Sequence, residues 1–214
     1  MVFHDANLRR TANRRDRIIS LTSTELGSID VGTWFNRKHP HRAKTEYINE
    51  RIPTLEQVLT LVASKARPDF VCYVELKIDH KETDHQALVD SVLTSIDLHR
   101  LAHRTTIVSF NHAALGYVKR QNCSIRTGAL FKPRTLTPKR RHEMIEAAIR
   151  YGPSEILLHR LMARRRIVEA ILASGLTPVV WTVDDPRWVQ RAKRLGIRSL
   201  ISNTPARLLA RVTR

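Results

Sequence analysis

The sequence predicts an α/β fold built as a (β/α) barrel. From residue 70 onward, short runs rich in β-branched and aromatic residues alternate with longer patterns of helical period. This alternation indicates parallel strands joined by right-handed helical crossovers. An open doubly wound sheet fits less well, because no glycine-rich phosphate motif follows a strand and the chain has only 7 glycines. Polar residues also cluster at the carboxyl ends of the predicted strands, where barrel active sites are built: His4, Glu75, Lys77, Ser109, Asn111, Thr182 and Asp184.

Before residue 70 the sequence indicates helices and loops more than strands. Val2-Phe3 is interpreted as a strand fragment, and Thr22-Ser23-Thr24-Glu25 is typical of a capping box that opens a short helix. Residues 29–51 are predicted to be a loop. A regular helix is expected from Pro53-Thr54-Leu55-Glu56-Gln57 onward.

The second part predicts six strands, each followed by a helix. The strands are expected over residues 70–78, 105–110, 125–131, 155–158, 178–183 and 198–202. The helices are expected over residues 84–99, 111–121, 137–151, 161–174, 186–195 and 205–212, with Asn111 as a cap and Gly175 and Gly196 as terminators.

The strand over 70–78 carries the first candidate site. Successive strand side chains point to opposite faces, so Tyr73, Glu75 and Lys77 share one face. Charged groups on a buried strand are costly unless they are paired or bind something. Glu75 and Lys77 are therefore candidate site residues, and an edge-strand salt bridge is the alternative interpretation.

Length and composition predict a single domain over residues 1–214. The mass of 24.6 kDa and a hydrophobic fraction of 42% are enough for a sizeable core. No stretch approaches the ~20 apolar residues of a membrane helix, and no signal peptide is visible. The 2 cysteines, Cys72 and Cys123, are expected to be reduced, which favours a cytoplasmic location.

The net charge of +17 favours anionic partners, which include nucleic acid, phospholipid headgroups and phosphorylated substrates. Basic clusters occur at Arg14-Arg15, Lys139-Arg140-Arg141 and Arg164-Arg165-Arg166. No aromatic residues interleave with them as a single-strand stacking surface requires, so no nucleic acid is expected. An anionic membrane surface stays open as a partner, and solvated helix faces are the plain alternative.

Several segments, in order and with preserved spacing, match one family pattern. They are Val2-Phe3-His4-Asp5 followed by Leu8-Arg9-Arg10-Thr11, then Ile52-Pro53-Thr54-Leu55-Glu56, Val74-Glu75-Leu76-Lys77, Val108-Ser109-Phe110-Asn111, Val180-Trp181-Thr182-Val183-Asp184 and Ile201-Ser202-Asn203-Thr204-Pro205. In these segments the chain resembles the glycerophosphodiester phosphodiesterase family over essentially its whole length.

The resemblance implies a TIM barrel of the phosphodiesterase type that hydrolyses glycerophosphodiesters to sn-glycerol 3-phosphate and an alcohol. It implies a divalent cation, commonly Ca²⁺ or Mg²⁺. Carried over by position, His4 would be one of two catalytic histidines, Glu75 a metal ligand and Lys77 a group that offsets phosphate charge. Trp181 would wall the glycerol site, with a core tryptophan as the alternative.

The family pattern also has an earlier section that carries His-Arg and Glu-x-Asp. Relative to it, this sequence is expected to form an incomplete barrel that lacks the first one or two strands, and to be weak or inactive by itself. Two other functions are considered. A non-catalytic basic module would bind anionic lipid or nucleic acid in a salt-sensitive way. A phosphoinositide-type phospholipase on a related barrel fits the Glu-x-Lys strand less well.

Overall fold

The chain divides into two units, Met1–Pro68 and Asp69–Arg214. The computed structural model describes residues 1–78, 85–133 and 138–212, so the predicted helix start at residue 84 lies outside the described residues. The side chains of the Lys139-Arg140-Arg141 cluster lie outside them too. The single domain over 1–214 stays a prediction.

The first unit is helical. Its helices are α1 Arg9–Ala12, α2 Ser23–Ser28, α3 Thr33–Lys38 and α4 Leu55–Lys65, with 3₁₀ turns at Ile18–Ser20, Pro40–Arg42 and Thr45–Tyr47. Its buried core consists of Leu8, Leu26, Ile29 and Ile52. The predicted capping box is present, because Thr22 exchanges hydrogen bonds with Glu25. The predicted helix start within residues 53–57 is confirmed by a second capping box, in which Thr54 exchanges hydrogen bonds with Gln57.

Two predictions for this unit are wrong. Val2-Phe3 is not a strand: the Val2 amide donates to the Pro53 carbonyl at 2.9 Å, but no ladder extends from that bond. The predicted loop over 29–51 contains α3. The Asp30 carboxylate accepts hydrogen bonds from the amides of Gly32 and Thr33 at 2.9 and 3.0 Å, which satisfies the free donors that begin a helix.

The second unit contains a parallel sheet. Its strands are β1 Cys72–Leu76, β2 Thr105–Ser109, β3 Arg126–Phe131, β4 Glu155–His159, β5 Thr177–Trp181 and β6 Ser199–Leu200. The helices between and after them are α5 Gln86–Leu98, α6 His112–Gln121, α7 Pro138–Ile149, α8 Arg165–Ala173, α9 Trp188–Leu195 and α10 Pro205–Val212. The strand order is β1-β2-β3-β4-β5-β6, with every neighbouring pair parallel. None of the described helices is long and apolar enough to cross a membrane.

The sheet curls as a barrel wall does. The Tyr73 hydroxyl on β1 donates to Glu155 Oε2 on β4 at 2.7 Å, although β2 and β3 lie between these strands. In a flat sheet, strands three positions apart would be about 14 Å from one another. A side-chain hydrogen bond over that span requires a concave inner face, so the predicted α/β barrel class is confirmed as a curled, parallel half-barrel sheet.

Each face of the sheet carries an apolar cluster. The concave inner face buries Val108, Leu130, Leu157 and Val179. Gly128 makes room there, because a Cβ at this position would collide with the Leu157 side chain. The outer face packs against α8, α9 and α10 through a second cluster: Ala163, Val168, Val180, Val183, Val189, Ala192, Ile197 and Leu208.

Candidate active site

Glu75 and Lys77 lie at the carboxyl end of β1, on the inner face. Glu75 is opposite Val108 in the β1–β2 register, and neighbouring residues in a parallel sheet share a face. The Lys77 ammonium lies 2.8 Å from Glu75 Oε1. This oxygen is buried and accepts no hydrogen bond within the described residues. The Lys77 ammonium is therefore close enough for an ion pair, but its angle to Glu75 Oε1 is not that of a hydrogen bond. Glu75 and Lys77 thus form the salt bridge of the alternative interpretation, and this salt bridge lies on the inner face of the sheet.

An aromatic wall of Phe110, His159 and Trp181 stands at the carboxyl ends of β2, β4 and β5. The ring centroids of Phe110 and Trp181 are 5.6 Å apart, and those of His159 and Trp181 are 5.1 Å apart, both edge to face. The Trp181 indole donates to the Leu157 carbonyl at 3.1 Å. Trp181 is only half-buried, so one side of it contacts the core and the rest is accessible from the inner face.

Two residues at this wall add chemistry. The Lys132 ammonium lies 4.5 Å from the centroid of Phe110, a cation–π contact that the sequence analysis missed. His159 is the last residue of β4. Its Nδ1 accepts a hydrogen bond from the Leu161 amide at 3.3 Å. Burial, and then the charge of Arg160, lower the pKa of His159.

His4 lies in the first unit beside two charged neighbours. Its Nδ1 is 2.7 Å from Asp5 Oδ1, and Asp5 Oδ2 accepts a hydrogen bond from Arg10 Nε at 2.6 Å. The Arg10 hydrogen bond, followed by that of His4, lowers the pKa of Asp5. Since the ionised carboxylate can only accept, Nδ1 must carry the proton, and Nε2 is left with its lone pair. The His4 side chain is 77% exposed, so Nε2 can reach a substrate.

The predicted site residues are thus distributed over both units. Glu75 and Lys77 contact one another, and Trp181 lies at the same carboxyl-terminal edge of the sheet, three strands beyond Phe110. His4 belongs to the first unit. Asp5 was missed as a partner of His4, although its place directly after the histidine was a usable signal.

Among the described residues, the remaining histidines form no group placed to hold a metal ion. His112 Nε2 donates to the Leu130 carbonyl at 3.2 Å, and burial lowers the pKa of this half-buried imidazole, which fits a structural role. His80 lies outside the described residues.

The described residues do not form a complete metal site. The part of the chain that the structure describes contains no group of three or more His, Cys, Asp or Glu side chains placed to hold a metal ion. Glu75 Oε1 is a buried acceptor without a hydrogen bond, which suits one ligand of a cation, but Lys77 already contacts it. Hard divalent cations need about six oxygen ligands, and Glu75 supplies one carboxylate toward that number.

A buried polar group that the sequence analysis missed lies at the opposite end of the strands. Glu155 is 2% exposed, and its Oε1 accepts from Arg126 Nη2 at 2.6 Å while its Oε2 accepts from Tyr73. We name these three residues the Tyr73–Glu155–Arg126 tie. Both carboxylate oxygens are engaged, so Glu155 is a structural acid and not a free proton donor.

Comparison with known proteins places the chain in a family. The glycerophosphoryl diester phosphodiesterase family model matches residues 1–207. The curated glycerophosphodiester phosphodiesterase of Bacillus subtilis is 25% identical over 96% of this chain and 69% of the relative. A crystal structure from Silicibacter pomeroyi DSS-3 is 23% identical with a TM-score of 0.82, and the match covers 99% of this chain and 77% of that one.

A third comparison concerns a bound product. A phosphodiesterase of Oleispira antarctica, solved with its product sn-glycerol-3-phosphate, is 20% identical with a TM-score of 0.74 over 99% of this chain and 78% of that one. The curled parallel sheet and the family match over nearly the full chain agree on one assignment. The chain belongs to the glycerophosphoryl diester phosphodiesterase family.

Proposed function

We propose that this chain hydrolyses glycerophosphodiesters to sn-glycerol 3-phosphate and an alcohol. The observation that carries the proposal is the inward-facing Glu75–Lys77 pair at the carboxyl end of β1, within a chain matched by the family model over residues 1–207. The Oleispira antarctica relative, which was solved with this product, supports the substrate class.

His4 is the proposed proton-transfer group. Hydrolysis forms a bond from a nucleophilic oxygen to phosphorus and breaks the bond from phosphorus to the alcohol oxygen. A proton must leave the nucleophile and another must reach the alkoxide. Nε2 of His4 can accept the first or, once protonated, donate the second, since an imidazole nitrogen can both take up and release a proton. Asp5 holds the tautomer that leaves Nε2 free.

Lys77 is the proposed phosphate-binding cation, and Glu75 is the residue that orients it. A fixed ammonium beside a phosphoryl oxygen stabilises the negative charge that grows there. Trp181 offers an apolar wall for the glycerol carbons. A divalent cation, Ca²⁺ or Mg²⁺, is proposed as cofactor, with Glu75 as one of its ligands.

The setting of the reaction is also proposed. The products connect it to lipid and glycerol metabolism, and the free thiols of Cys72 and Cys123 favour a reducing compartment such as the cytoplasm. The activity of this chain is proposed to be weak, because the described residues supply one carboxylate and not a full set of cation ligands.

Release of glycerol 3-phosphate from glycerophosphocholine tests the function, measured with purified chain and either Ca²⁺, Mg²⁺ or chelator. Slow turnover above the protein-free blank is expected, and Glu75→Gln should lower kcat/KM by on the order of 100-fold. Glu169→Gln is the matched control, because Glu169 is an exposed acid of α8 with a long ion pair of 3.8 Å. Turnover indistinguishable from the blank in all conditions, or equal activity of the two variants, would contradict the proposal.

A further inference from the structure

The outer helices at the end of the chain carry a one-sided positive charge. Residues 160–212 contain many exposed basic side chains and only three acids, Glu169, Asp184 and Asp185. We name the basic set the arginine face: Arg160, Arg164, Arg165, Arg166, Arg187, Arg191, Lys193, Arg194, Arg198, Arg207 and Arg211.

The fold itself directs these side chains outward. Helices α8, α9 and α10 turn Val168, Val189 and Leu208 onto the sheet, within one buried cluster. The exposed positions that remain on each helix include most of the basic ones: Arg165 and Arg166 on α8, Arg191, Lys193 and Arg194 on α9, and Arg207 and Arg211 on α10. Neighbouring helices contact one another, α8 with α9 and α9 with α10, so the basic positions form one continuous surface.

The acids on this surface leave most of the positive charge unbalanced. Asp185 pairs with Arg187 at 2.7 Å, and Glu169 lies 3.8 Å from Arg165. Asp184 instead accepts hydrogen bonds from Ser202 and Asn203. Charge repulsion within such a surface is relieved when an anionic partner binds to it.

Exposed apolar side chains lie among the arginines. Leu161 is 62% exposed just before α8, and Leu209 is 61% exposed on α10, where Val212 follows one helical turn later. Helices that lie at the headgroup region of a lipid bilayer also combine exposed basic side chains with exposed leucines. A nucleic-acid surface would favour exposed aromatic rings for stacking, but Trp188 is half-buried and covered by Arg191 at 4.6 Å.

We propose that the arginine face binds the surface of an anionic lipid bilayer. The arginines pair with lipid phosphates, and Leu161, Leu209 and Val212 insert at the headgroup boundary. This inference is independent of the proposed catalysis, because it concerns the outer helix layer and not the inner face of the sheet.

Vesicle binding tests it with the full chain. Sedimentation with vesicles of phosphatidylcholine containing phosphatidylglycerol should remove the protein from solution, and vesicles of phosphatidylcholine alone should not. The triple variant R166Q/R194Q/R211Q should lower the partition coefficient by on the order of 100-fold. None of these three side chains belongs to the described ion pairs or ring contacts, so the variant should fold normally.

A control with the same change in charge separates a specific surface from net charge. The variant R100Q/R120Q/R150Q removes three exposed arginines from the α5–α7 part of the same unit and should retain most of the binding. L209Q should weaken binding several-fold without changing its salt dependence. The proposal is overturned if the two triple variants lose binding equally, if anionic vesicles bind nothing, or if duplex DNA competes more strongly than lipid.

Discussion

At the scale of single residues, a neighbouring carboxylate determines the chemistry of an imidazole. His4 and Asp5 are adjacent in sequence, and their side chains meet at 2.7 Å because Arg10 holds the other carboxylate oxygen at 2.6 Å. The hydrogen bond from Arg10 lowers the pKa of Asp5, which keeps the acid ionised at neutral pH. An ionised Asp5 fixes the proton of His4 on Nδ1 and so leaves Nε2 as the reactive atom.

The tautomer of His4 can be measured directly. In ¹⁵N NMR spectra at a pH above the imidazole titration, the signal of Nδ1 should be that of a protonated nitrogen, and that of Nε2 should be of the pyridine type. Asp5→Asn should shift the population toward the other tautomer and lower turnover by about 10²–10⁴-fold. Asp16→Asn, which removes an acid paired with Arg14, should change neither. Unchanged His4 shifts in the Asp5 variant would disprove the orienting role.

At the scale of elements, the Tyr73–Glu155–Arg126 tie holds β1, β3 and β4 in a curl. The twist and stagger of the strands curl the sheet, and the tie adds a side-chain link from β1 to β4 across the concave face. Glu155 is buried, and removing one of its partners leaves part of a buried carboxylate unsatisfied. The tie lies at the amino ends of the strands, which in barrels is the stability face, opposite the catalytic face.

The tie gives stability a dependence on alkaline pH. Burial, and then the bond to Glu155, raise the pKa of Tyr73 above its ordinary value of 10.0. The folded chain therefore binds this proton more tightly than the unfolded chain. Below pH ~10 the tie makes its full contribution to the free energy of unfolding. That contribution is lost as the pH rises through the pKa of Tyr73 in the folded chain.

Urea unfolding across that pH range checks this, with Tyr73→Phe as the variant. Below pH ~10 the variant should be less stable than the parent by about 1.5–3 kcal/mol, the usual value of a hydrogen bond to a charged group. The gap should close at higher pH, as the parent loses its advantage. Tyr151→Phe, which changes an exposed tyrosine, is the control and should follow the parent throughout. A gap that stays constant to high pH would contradict the assigned pKa direction.

At the scale of the whole molecule, charge and metal affinity set the behaviour in solution. The chain has 37 Lys and Arg against 20 Asp and Glu, so a cation must approach a strongly positive protein. Within the described residues Glu75 is the sole proposed metal ligand, and Lys77 competes for its oxygen. Weak affinity for Ca²⁺ and Mg²⁺ follows.

Thermal unfolding with and without metal measures this affinity without relying on activity. With a dissociation constant of about 1 mM or weaker, adding ~1 mM Ca²⁺ stabilises the fold by at most ~0.4 kcal/mol, which is a shift of ~1 °C or less. Glu75→Gln should abolish even that shift. A stabilisation of several degrees would show that further ligands complete the site.

The sequence determined the type and order of most elements of the second unit. Alternating apolar runs and helical periods predicted β1 to β5 and α5 to α10 close to their observed limits, because parallel strands buried on both faces leave a strong local pattern. β6 is shorter than predicted, and α3 was missed, because its start depends on the Asp30 carboxylate and not on apolar periodicity. The roles of His4, Glu75, Lys77 and Trp181 stay predictions until the assays above are done.

Sequence alone therefore determined the barrel class, the family and the shared face of Glu75 and Lys77, since each depends on local periodicity or on motifs read along the chain. Only the tertiary structure brought Tyr73, Arg126 and Glu155 together, placed Lys132 over Phe110 and gathered the arginines of three helices into one surface. These contacts join residues that are far apart in the chain. Their partners are chosen by the curl of the sheet and the packing of the helices, which no local pattern encodes.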